Sequence, residues 1–87
     1  MQYRIPDDVL HRVVQADTVI LNAATNAYVS LNGSAGRIWE LFGAGHTADE
    51  VQNIMGEEFD VEADVLEADV ASTLQSLLQR GLLEPSS

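Results

Sequence analysis

The chain has no cysteine and no lysine. Without a thiol there is no disulfide framework, no thiolate zinc site and no cysteine nucleophile. Without lysine, the only fixed cations are four arginines, set against fourteen aspartates and glutamates for a formal net charge of −10. A surface of that sign repels phosphate backbones and anionic lipid, which argues against nucleic acid and membrane partners. Histidines are scarce too: His11 and His46 are the only ones, and no close His/Asp/Glu spacing accompanies them. Both read as surface residues, and no metal site is expected. No apolar run approaches the about 18 residues needed to span a bilayer. The opening Met1 to Asp8 lacks the basic and apolar regions of a signal peptide. A soluble, cytoplasmic chain is expected.

The 87 residues fit one domain with a modest core. A deep catalytic pocket is not expected in so small a chain. Ser30 and Ser34 have no base near them in sequence, so the chain is read as not an enzyme and as needing no cofactor.

The first third is strand-like. Val9, Val13 and Val14, then Val19, Ile20 and Leu21, form two β-rich runs around the turn-prone Ala16-Asp17. Asn22 to Asn26 closes a second turn, and Ala27-Tyr28-Val29-Ser30-Leu31 supplies a third strand. With period two, Tyr28 and Ser30 share one face of it, and Val29 and Leu31 the other.

From Asn32 the period becomes helical. Asn32 or Ser34 caps a first helix with Ile38, Leu41 and Phe42 on one side, ended by Gly43-Ala44-Gly45. Trp39, among these apolar neighbours, reads as core. Thr47-Ala48-Asp49-Glu50 is a capping box, so a second helix starts near residue 48, with Val51, Ile54, Met55 and Phe59 as its apolar stripe. Asp60 is the expected cap of a third helix, whose apolar arc is Leu66, Val70, Thr73, Leu74 and Leu77 and which stops at Gly81.

The expected fold is therefore α+β: a three-stranded antiparallel sheet packed on a three-helix bundle, a layout shared with winged helix-turn-helix modules. Residues 1–83 form the domain, and Glu84-Pro85-Ser86-Ser87 are expected to be a flexible tail. DNA binding through the last helix is disfavoured. That helix and its approach carry Glu57, Glu58, Asp60, Glu62, Asp64, Glu67 and Asp69, with no arginine before Arg80. Acids near the helix start complement its dipole, but Glu67 and Asp69 lie beyond the first turn. They flank the apolar arc on opposite sides, and either is placed to border a groove and meet a basic partner residue.

The series Val19-Ile20-Leu21-Asn22, Ala27 to Asn32, Gly36-Arg37-Ile38-Trp39-Glu40-Leu41, Thr47 to Val51, Asp69-Val70 and Leu77-Leu78-Gln79-Arg80-Gly81-Leu82-Leu83 resembles the PqqD-like family. These are precursor-peptide recognition elements of ribosomally made, post-translationally modified peptides. The resemblance covers residues 9–83, and among such proteins the chain looks most like the small leader-binding B proteins of split lasso-peptide systems. It implies a leader peptide added as a strand beside the third strand, in a groove closed by the last helix. The implied site is Ala27, Tyr28, Val29, Ser30 and Leu31, with Asp69, Val70, Thr73, Leu74 and Leu77 from the helix; Glu67 is added as the alternative acid by the charge pattern above, not by the resemblance. The implied partners are a precursor leader peptide, a separate cysteine-type leader peptidase and an ATP-dependent macrolactam synthetase. One departure is the turn before the third strand, where Ala24-Thr25-Asn26 replaces the usual glycine-containing sequence.

The leading reading is thus a non-catalytic leader-binding adaptor. A different class, a small acidic carrier protein with Ser34 as prosthetic-group acceptor, fits size and charge, but the strand-rich first third and the lack of an Asp-Ser-Leu motif oppose it. A winged-helix transcription factor ranks third.

Overall fold

The computed structural model describes residues 1–86. Its elements in chain order are β1 (Tyr3–Arg4), β2 (Val9–Val14), β3 (Asp17–Asn22), β4 (Ala27–Leu31), α1 (Gly33–Gly43), α2 (Ala48–Glu58), α3 (Ala63–Gln79) and β5 (Glu84–Pro85). The order β2-β3-β4 makes an antiparallel meander, as the sequence leads one to expect. The turn before β4 closes without glycine because Asn26 takes the left-handed conformation at φ 58°, which asparagine tolerates. Asn22 Oδ1 braces that turn by accepting from the Ala24 amide at 3.0 Å.

One face of the sheet lies on α1. Ile20 from the central strand is fully buried there, in a core with Trp39, Phe42, Val51, Met55, Val70, Leu77 and Leu82. Gly36 permits the close approach of α1: a Cβ there would meet the Thr18 Oγ1 at 2.6 Å. His11 lies against this core edge-on to Trp39, with ring centroids 4.9 Å apart.

Local signals fix the helix ends. Asn32 Oδ1 caps α1 by accepting from the Ala35 amide at 2.9 Å, and the Ser34 hydroxyl donates to the same oxygen at 3.2 Å. The Thr47–Glu50 capping box starts α2, and the Thr47 amide holds the Glu50 carboxyl below the ordinary glutamate value. Arg37 on α1 clamps the end of α2, its Nε donating to Glu58 Oε1 at 2.9 Å and its Nη2 to Oε2 at 2.6 Å. This pair lowers the Glu58 pKa and raises that of Arg37. α3 ends in a Schellman motif: Gly81 sits at φ 72°, the Leu82 amide donates to the Leu77 carbonyl at 2.9 Å, and both leucines are buried.

Two expectations are corrected. Asp60 does not cap α3; the cap position is Glu62, with no side-chain cap bond. Glu84 and Pro85 are not a loose tail, because β5 pairs antiparallel with β1. Arg4 Nε lies 2.6 Å from Glu84 Oε1, and the Ser86 amide donates to the Gln2 carbonyl at 3.0 Å. Ser87 lies outside the described residues. This ribbon joins the two ends of the chain, and Tyr3 fixes it to the core through an edge-on contact with Phe42 at 5.4 Å.

Candidate functional site

The strand order leaves β4 paired on one side only. Which of its backbone groups are free follows from one hydrogen bond. The Ala23 amide donates to the Asp8 carbonyl at 2.7 Å, continuing the β2–β3 register in which Val9 faces Asn22. Antiparallel pairs alternate between hydrogen-bonded and open, so Leu21 and Val19 point their backbone groups at β2, and Asn22, Ile20 and Thr18 point theirs at β4. Their partners Ala27, Val29 and Leu31 are therefore used within the sheet. The N–H and C=O of Tyr28 and Ser30 face the free edge.

That edge opens onto α3. A cleft of about 370 Å³ is bounded by Ser30, Leu31, Asn32 and Ala35 on one side and by Ser72, Thr73, Ser76, Leu77 and Arg80 on the other. At its Asn32 end a second cleft of about 240 Å³ continues between α1, α2 and the start of α3, sharing Asn32, Ala35 and Thr73 with the first. Its floor is apolar, from Ile38, Met55, Phe59, Val61 and Leu66, and Asp69 stands on its rim. Together they form one groove. The shared residues show that β4 and α3 run in opposite directions along it, with Arg80 at the β4 end and Asp69 at the α1 end.

Within this frame the residues expected from the sequence separate. Ser30, Leu31, Thr73, Leu77 and Asp69 line the groove, while Ala27 and Val29 belong to the strand that forms its wall. Tyr28 offers its backbone to the edge, but its ring lies on the outer face of the sheet, beside Leu10 and Leu21, and is 72% exposed. Val70 is corrected from groove wall to core, since it is fully buried and lines neither cleft, unlike Leu77, which is core yet reaches the cleft wall. Leu74 is corrected as well: it faces Ala48, Gln52 and Leu78 on the α2 side of α3. Glu67 lines none of these clefts, and at 100° per residue it is about 160° around the helix from Asp69. The acid bordering the groove is Asp69.

Ser72 and Ser76, which carry no signal in the sequence, also line the groove, as does Arg80, whose sequence position gives only the end of the helix. Their spacing, i, i+4 and i+8, places all three on one flank of the apolar arc, where the two small serines leave room beside β4 and Arg80 closes the end. Ser34, the acceptor of the carrier reading, is instead part of the α1 cap. Among the described residues no cluster of His, Asp and Glu could hold a metal ion, and no helix is long and apolar enough to cross a membrane.

The family described as Coenzyme PQQ synthesis protein D (PqqD) matches residues 17–83. No curated protein sequence matches the chain. Among solved structures, TbiB1 in complex with the TbiA(beta) leader peptide is 27% identical with a TM-score of 0.86, over 97% of this chain and 98% of that one. Lasso peptide synthetase B1 complexed with the leader peptide is 25% identical with a TM-score of 0.87, over 98% of this chain and 100% of that one. The α+β fold, the meander and the three helices are those of these proteins. With the match spanning most of its length, the chain belongs to the PqqD family.

Proposed function

We propose that this chain binds the leader region of a ribosomal precursor peptide, of the lasso-peptide type, as a strand added to the free edge of β4 under the cover of α3. The observation that carries this reading is the outward direction of the Tyr28 and Ser30 backbone groups into a groove with a second wall. An edge of this kind gives sequence-tolerant hydrogen bonds, and the adjoining apolar cleft gives selectivity. The likeness to two proteins solved with leader peptides supports it.

Magnitudes assign the parts different tasks. Ordering a disordered leader costs roughly 2–5 kcal/mol. Edge hydrogen bonds contribute about 0.5–1.5 kcal/mol each, so those of Tyr28 and Ser30 roughly offset that cost. Net affinity then depends on burying leader side chains, at about 1.5–3 kcal/mol for each fully buried large apolar group. The cleft floored by Ile38, Met55, Phe59, Val61 and Leu66 is the place for one.

In this reading the chain is a non-catalytic adaptor in the cytoplasm. It presents the leader to a separate cysteine-type peptidase, and the core peptide passes to an ATP-dependent macrolactam synthetase. Calorimetric titration with the leader peptides encoded beside this gene tests the binding step. Saturable one-to-one binding is expected, and no saturable heat with any of them would overturn it.

A further inference from the structure

Arginine is scarce in this chain, and its placement is informative. Among the described residues Arg4 and Arg37 have carboxylate partners, whereas Arg12 and Arg80 have none. Arg80 is exposed and lines the groove beside Ser30, Leu31 and Ser76. A cation at the end of α3 also complements the helix dipole. That role does not require it to face the groove, and it does not account for an arginine left unpaired on a chain with fourteen carboxylates. At the far end of the groove stands Asp69. The groove is thus electrically polar along its length.

We infer that Arg80 is a specificity-determining residue that selects peptides with an acidic side chain at the β4 end of the groove, and that Asp69 favours a basic side chain at the other. The inference rests on the strand-addition reading above and adds the charge pattern of the ligand. Eleven residues of helix separate the two positions, about 16 Å at 1.5 Å per residue. An extended peptide covers that distance in about five residues at 3.3 Å each. A peptide antiparallel to β4 runs from the Asp69 end to the Arg80 end. Its basic residue therefore precedes its acidic residue by about four to six positions. In this antiparallel direction a peptide of the reverse pattern meets like charges at both ends, so for a given peptide the two charges also select its direction along β4.

The test is selection of a random 14-residue peptide library, displayed on its encoding RNA, against the full chain and against Arg80→Glu. Circular dichroism confirms that the variant folds, and Arg80→Gln serves as a second, milder variant. Wild type is expected to enrich peptides with a basic residue four to six positions before an acidic one. Arg80→Glu is expected to replace the acidic preference with a basic one and to keep the apolar preferences unchanged. A synthetic peptide from the wild-type pool should bind Arg80→Gln about fivefold more weakly. Enrichment without an acidic position, in acid-before-base order, or identically for Arg80→Glu, overturns the inference while leaving strand addition standing. If neither protein enriches any peptide, the peptide-binding reading fails and the inference with it.

Discussion

The indole Nε1 of Trp39 donates to the backbone carbonyl of Leu82 at 2.9 Å, in a buried contact between residues 43 positions apart. It joins the middle of α1 to the segment that follows α3, and so holds the groove-forming helix against the bundle. Trp39→Phe leaves a buried carbonyl unpaired, at a cost of about 1–3 kcal/mol, to which the space vacated by the smaller ring adds. Denaturant unfolding should show that loss as a lower midpoint with an unchanged slope. A midpoint equal to wild type would mean that the bond contributes nothing.

Acid should weaken the clamp between α1 and α2. Glu58 and Glu50 both have carboxyl groups held below the ordinary value of 4.5, by Arg37 and by the Thr47 amide respectively. A lowered folded-state pKa contributes stability that is complete above the unfolded value and is lost as pH falls through the folded one. Protonation of the other carboxylates acts oppositely, by relieving repulsion on a −10 chain. The difference between wild type and Glu58→Gln isolates the clamp. Glu58→Gln should have the lower thermal midpoint at pH 7, and the gap should close as pH falls from about 5 to 3. A gap that is constant across this range would refute the assignment.

Local features were legible in the sequence and long-range ones were not. The Thr47–Glu50 box, the stop at Gly81 and the burial of Trp39 each depend on a few neighbouring residues. β1 and β5, two residues each, are too short for any period and pair across almost the whole chain. On α3 the apolar arc is readable, but it does not say which flank turns toward the sheet. Leu74, which the family resemblance places in the groove wall, faces α2 instead, and the sequence alone does not choose between Glu67 and Asp69. The α3 side of the cleft beside β4 carries Ser72 and Ser76, small side chains that leave space there and carry no hydrophobic signal.

The alternation along β4 makes neighbouring positions unequal. The Ser30 amide points into the groove and serves no bond within the sheet, while Val29 pairs with Ile20 across β3. Proline removes the donor in either case, and an edge strand tolerates it only where that donor is unused. Ser30→Pro should keep the thermal midpoint within a few degrees, a change of about 1 kcal/mol or less. It should weaken binding of a leader peptide about tenfold, the effect of losing one edge bond together with the crowding of the proline ring. Val29→Pro should lose the β3–β4 pairing and lower the midpoint steeply before any peptide is added. Circular dichroism melts and calorimetric titration of Ser30→Pro measure both quantities. Unchanged affinity in a folded Ser30→Pro would show that the leader does not use this edge, and strand addition at β4 would have to be abandoned.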